Sequence, residues 1–146
     1  MNLSDLVKKD RIKEIPIDEV QIKNSLELCH RDLKAAEFNL KNDLIDWAFS
    51  ISYNSILQAG RALMYAYGYT PRSDDSHRIT LEFIEIMLGS KHSELFNTLD
   101  RIRKKRHITV YDQTGVVTAY EAKFAFNQAK EFVKIVEKKI KEKKLF

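Results

Sequence analysis

Along most of this chain, apolar residues recur three and four positions apart, the spacing that lines one face of an α-helix. No segment alternates apolar and polar residues as a half-buried strand does. A short first helix is predicted over Ser4 to Lys13, ended by Pro16. A second runs from Asp18 to Lys41, with Ile22, Leu26, Cys29, Leu33, Ala36 and Leu40 on its apolar stripe. A third spans Asp43 to Tyr67. Its core, "LIDWAFSISYNSILQAGRALMYAY", is apolar nearly all round, which predicts the central, most buried element. Gly68 stops it. "GYTPRSDDSH" predicts one long loop, with Pro71 and a run of turn formers. A fourth helix is predicted from His77 to Leu88, stopped by Gly89, and a fifth from His92 to Asp112, stopped near Gly115. Thr118 and Glu121 form a capping box that opens a sixth, reaching Lys143. The pattern predicts an all-α, antiparallel bundle of four to six helices, up-down in its major members.

Composition narrows the picture. With 146 residues, 44% of them hydrophobic, the chain is long enough for one domain, 1–146, with its own core. No apolar run approaches the roughly 20 residues that span a bilayer. The first residues, "MNLSDLVKKDRIKEI", lack the uninterrupted apolar centre of a secretion signal. A cytoplasmic protein with no membrane partner is expected. The single cysteine, Cys29, excludes an internal disulfide and sits on the apolar stripe, so it is expected to be buried. His30, His77 and His92 lack ligand spacing, the last two lying near helix starts, and no metal is expected. Gly-rich phosphate loops, nucleophile elbows and Cys/His pairs are absent from the sequence, and no cofactor is implied. Asp43 and Asp46 open the third helix, where acids favour the macrodipole. Arg61, inside the apolar helix, is expected to pair with an acid on a neighbour. Phe124, Phe126 and Phe132 read as core or dimer contacts rather than as a base-stacking set.

The net charge of +4 permits an anionic partner without demanding one. Its distribution says more. "RIRKKRHITVYD", Arg101 to Asp112, carries Arg101, Arg103, Lys104, Lys105, Arg106 and His107 with no acid until its end. At about 100° per residue, Leu95, Leu99 and Ile102 form the buried stripe of the fifth helix, and Arg106 is its next member. A guanidinium is costly to bury alone, so Arg106 calls for a partner: an acid within the bundle, a dimer contact or a ligand. Arg103, His107 and Tyr111 follow one another at four-residue spacing down one flank. Lys104 points away from the stripe, while Lys105 and Arg101 lie on the other flank; all three read as solvated surface, available to an anion.

"YNSILQAGRALMYAYGYTPRSDDSH", Tyr53 to His77, resembles the central helix and following loop of HEPN domains (higher eukaryotes and prokaryotes nucleotide-binding). The matching features are Ala59, Arg61, Ala62 and Leu63, the Gly68-Tyr69-x-Pro71 turn, and the His at the start of the next helix. Catalytic members of that family carry Arg, then four to six residues, then His. Arg106 takes the Arg position, His107 the Asn that often follows it, and Tyr111 stands where the His belongs. A second register, Arg101-x5-His107, puts its two residues on opposite sides of the stripe. The resemblance, over Leu33 to Lys139, implies a homodimer and metal-independent endoribonuclease chemistry in a cleft between subunits. There a 2′-hydroxyl attacks the adjacent phosphate, Arg stabilises charge and His shuttles the proton. Tyr, with a reference pKa of about 10, is a poor base at neutral pH, whereas His107, one turn earlier on the same flank, offers an imidazole, a side chain suited to proton transfer near neutral pH. Arg106, His107 and Tyr111 are therefore the candidate catalytic set, with Arg103, Lys104, Lys105 and Arg101 as RNA or anion contacts. Three functions stay open: a HEPN homodimer with a degenerate site that binds RNA or a nucleotide; an active endoribonuclease, as in a toxin–antitoxin or defence system with a nucleotidyltransferase-like antitoxin partner; and a structural helical interaction module.

Overall fold

The computed structural model describes residues 2–72, 75–109 and 115–143. Within them lie six α-helices: α1 (Leu3–Lys8), α2 (Glu19–Lys41), α3 (Ile45–Ala66), α4 (Ser76–Leu88), α5 (Ser93–His107) and α6 (Ala119–Glu142). The fold is an all-α bundle, as the periodicity predicts. α3 is its axis and packs most extensively against α2 and α6, with α4 and α5 beyond. Its buried residues include Ala48, Phe49, Tyr53, Ile56, Ala59, Ala62, Leu63 and Met64, while Trp47, Ile51, Asn54, Gln58, Arg61 and Tyr65 form the one stripe that is not buried. Small residues let the neighbours approach: Ala122, Ala125 and Ala129 of α6 are completely buried in the same core as Ala48, Ala59 and Ala62. Phe132 and Val136 fill the space farther along α6.

Helix ends follow local chemistry. Asn2 and Thr118 each close a capping box, with Asp5 and Glu121. Gly68 (φ 80°) and Gly89 (φ 73°) follow α3 and α4 in the left-handed region that favours glycine. α3 begins two residues later than the pattern suggests: Asp43 (φ 58°) is in the reversal after α2, while Asp46 is in the first turn and accepts a hydrogen bond from the Gly115 N–H at 3.0 Å.

One element contradicts the helical reading. α1 ends at Lys8, and Ile12 and Lys13, expected at its end, instead belong to β1 (Ile12–Glu14), antiparallel to β2 (Tyr69–Pro71) inside the expected loop. The register is Ile12 to Pro71, Lys13 to Thr70 and Glu14 to Tyr69. The pairing spans more than fifty residues, so no local pattern announces it; two three-residue strands are also too short to show alternation. Ile12 is buried beneath it, and Arg11 grips Glu82 of α4 through two hydrogen bonds, at 2.9 and 3.1 Å. This ribbon ties the chain start to the α3–α4 connection, immediately before the residues that build the cleft described next.

Candidate functional site

The stripe of α5 runs as expected: Leu99 and Ile102 are buried, Leu95 half-buried, and Arg106 comes next. Its guanidinium lies over the Tyr53 ring of α3, 5.4 Å from the centroid. That stacking accommodates the planar cation at a position where an apolar side chain would otherwise pack. It does not satisfy the donors. Arg106 Nε is buried and has no hydrogen-bond partner among the described residues. No acid pairs with Arg106 there either.

Tyr53 is fully buried, and its hydroxyl lies 3.3 Å from His77 Nδ1 at the start of α4. The two rings are 5.8 Å apart. Burial pushes the Tyr53 phenol up to about 12, against the pull of Arg103, Arg106 and Arg61, so it stays protonated. For His77, burial and then the charges of Arg61, Arg106 and Arg103 lower the pKa, with Asp75 opposing them. The imidazole is held neutral by its surroundings. Arg103 lies half-buried one helix flank away and donates from Nε and Nη2 to Asp100 Oδ1 at 3.2 and 3.1 Å. Lys104 pairs with the same carboxylate at 3.2 Å. Burial works against ionising Asp100, but hydrogen bonds from Lys104 and Arg103 outweigh it and its pKa falls.

Together Tyr53, Asp75, Ser76, His77, Arg103, Arg106 and His107 line a cleft of about 460 Å³. Of the residues singled out in the sequence, Arg106, Arg103 and His107 meet here, with His107 on the exposed rim. Tyr111 lies outside the described residues. Lys104 is solvent-facing. Lys105 and Arg101 lie across the helix: Lys105 is half-buried, with its ammonium 3.3 Å from Glu121 of α6, and Arg101 donates to Thr98 Oγ1 at 3.2 Å. The basic run therefore has two separate sides.

Sequence reasoning missed His77, Tyr53 and Arg61 as members of this environment. His77 reads locally as a helix start and Tyr53 as one more apolar residue. The signal was the Tyr53–His77 stretch itself, conspicuous for its resemblance but informative about the site only once α3 and α4 lie side by side. Arg61 departs from expectation: it is half-buried, and among the described residues no acid pairs with it. Its charge acts on Tyr53 and His77 instead. The described His, Cys, Asp and Glu residues form no group of three able to hold a metal ion, and no helix among the described residues is long and apolar enough to cross a membrane.

The HEPN domain family model matches residues 22–139. The fold is similar to the crystal structure of an archaeal HEPN homologue, with TM-score 0.65 and 18% identity, covering 82% of this chain and 97% of that one. No curated protein matches the sequence. The family match covers α2 from its first turn to near the end of α6, with the whole cleft inside it, and the chain belongs to the HEPN domain family.

Proposed function

We propose that the cleft between α3, α4 and α5 binds a phosphate of RNA or of a nucleotide, and that the protein acts as a binding module. The observation that carries this reading is the buried Nε of Arg106, without a hydrogen-bond partner among the described residues, in a cleft shared with Arg103 and His77. A buried donor left unmade costs about 1–3 kcal/mol. A phosphate oxygen meets that need, and the guanidinium fork offers it paired donors. The neutral imidazole of His77 supplies a further group whose protonation such an anion would favour.

The test is fluorescence anisotropy with a labelled single-stranded RNA at low salt. Arg106→Ala should weaken binding by roughly 10- to 100-fold, the size of a charged hydrogen bond of about 1.5–3 kcal/mol. Lys104→Ala, on the exposed side of α5 with its ammonium paired to Asp100, should cost far less. Equal loss from both variants would reduce the cleft to one part of a diffuse basic surface.

A second reading, metal-independent RNA cleavage, is favoured by one feature: two imidazoles, His77 and His107, line the same cleft as Arg106. Incubating the protein with total RNA in the presence of a chelator separates the readings. Products ending in a cyclic phosphate, absent from Arg106→Ala, would establish the enzyme. An adjacent nucleotidyltransferase gene would favour the toxin–antitoxin version of it.

A further inference from the structure

On the side of α5 away from the cleft, a groove of about 320 Å³ runs between α5 and α6. Phe49 and Ile102 contribute its buried apolar lining. Tyr120 and Phe124, one turn apart on α6, lie along it. They remain outside the core that takes Phe126 and Phe132: Tyr120 is 78% exposed and Phe124 39%. Their rings lie 6.4 Å apart with 14° between their planes, in stacked orientation. Of the two placements expected of Phe124, core or dimer contact, the core is the one it does not take. Opposite stands Arg101, exposed, with one donor used on Thr98. Lys105 also lines the groove, its charge shared with Glu121, which in turn caps α6.

We infer that this groove is a stacking site for an unpaired base of a single-stranded RNA whose phosphate occupies the Arg106 cleft across α5. The inference rests on the phosphate-binding reading above and adds a second subsite to it. An aromatic face left in water is a sequence-tolerant platform for a base, because every base presents a π-face. The volume is at the lower end of the roughly 300–1,000 Å³ typical of small-ligand pockets, which suits a single ring system. Arg101 offers a guanidinium to the strand beside the stacked base. The two subsites share one helix, about 10–12 Å across with its side chains, a width that a strand of a few nucleotides can pass over. Its exposed crest carries Lys104, a cation suited to the phosphates that cross it. Charge argues against a second copy of this chain as the occupant: a two-fold contact centred on the groove would bring Arg101 and its neighbouring cations toward their own equivalents.

The experiment compares a labelled single-stranded RNA of mixed sequence with the same strand annealed into a duplex. The Tyr120→Ala/Phe124→Ala double variant should bind the single strand about tenfold more weakly, as expected from base–aromatic stacking. Its affinity for the duplex, whose bases are already stacked, should be unchanged. Both side chains are substantially exposed, so the fold should survive, and the thermal transition is recorded alongside. As an independent readout, Tyr120→Trp in a Trp47→Phe background should be quenched by the single strand and not by the duplex. Arg106-dependent binding that is indifferent to the double variant, with no quenching, would overturn the stacking site and leave the phosphate site standing. Absence of any RNA binding by the unmodified protein would overturn both. A double variant that turns a dimer into a monomer while keeping its single-strand affinity would assign the groove to self-association and remove the inference.

Discussion

His77 couples the cleft to pH. The groups facing it are Tyr53 and Arg61 from α3, Arg103 and Arg106 from α5, and Asp75 on its own segment. Burial and the three arginines hold its pKa below the ordinary 6.5, so the unfolded chain binds a proton more readily than the native one. Stability therefore falls as pH drops through about 6.5 toward the lowered native value, and levels off below it. His77→Gln should remove this part of the acid-side loss, as read by urea unfolding midpoints across the pH range. A bound phosphate offsets the arginine charges and raises the imidazole pKa. Affinity should then increase from pH 7.5 to pH 6, with proton uptake visible when calorimetry is repeated in buffers of different ionisation enthalpy. A pH-independent affinity in the wild type would place His77 outside the bound complex.

Among the elements, α4 sets the position of His77, and its seat on α3 is tight. A Cβ added to Gly60 would lie 2.7 Å from Ile84 Cδ1 and 2.8 Å from Thr80 Cγ2. The Ile84 methyl is the end of a flexible chain and can swing aside. Thr80 cannot, because its Cγ2 is attached directly to Cβ and its hydroxyl donates to the Ser76 carbonyl at 2.8 Å. Overpacking of about 1–3 kcal/mol is set against the gain of about 1 kcal/mol that alanine brings to a helix interior. Gly60→Ala should therefore destabilise by about 1 kcal/mol in denaturant unfolding. It should also weaken RNA binding, because relief requires α4, and His77 with it, to move away from Tyr53. A stabilised Gly60→Ala protein would mean that the helices separate freely.

For the whole molecule, the expectation drawn from the family is a homodimer, which light scattering at micromolar concentration should show as about twice the 17.1 kDa chain. A dimer joined beside the Arg106 cleft, on the side of α5 away from the groove, would add a second set of arginines to one composite site, their charges offset by the bound phosphate. RNA affinity should fall with salt, single strands giving a slope of about −0.7 per phosphate contact. Arg106→Ala should flatten that slope by about one contact and Lys104→Ala by less; an affinity unmoved by salt would remove the nucleic-acid reading. Tyr111→His restores the family's catalytic pattern. If only the proton shuttle is missing, the variant should gain metal-independent RNA cleavage ending in a cyclic phosphate, detected by gel and by end-group analysis. A folded but inert Tyr111→His protein would leave the binding module as the surviving account.

The all-α class, the burial of α3 and the capping box at Thr118 were legible in order along the chain, because each depends on residues within a turn or two of one another. The anomaly at Arg106 was legible for the same reason: helical period alone places it on the stripe of Leu99 and Ile102. What surrounds Arg106 was not. The aromatic face of Tyr53, the His77 hydrogen bond and the charge of Arg61 come from two other helices, and nothing in the spacing of α5 refers to them. The β1–β2 ribbon was hidden for a like reason, since three residues pair with three that lie more than fifty positions away. The basic run illustrates the division most plainly. Helical period already put Arg103 and His107 on one flank and Lys105 and Arg101 on the other, but only packing showed what each flank meets: Arg103 and Arg106 turn toward α3 and α4, and Arg101 and Lys105 toward α6. Local periodicity determines which residues share a helix face; only the neighbours packed against that face decide whether a charge there meets an acid, an aromatic ring or a cleft open to a ligand.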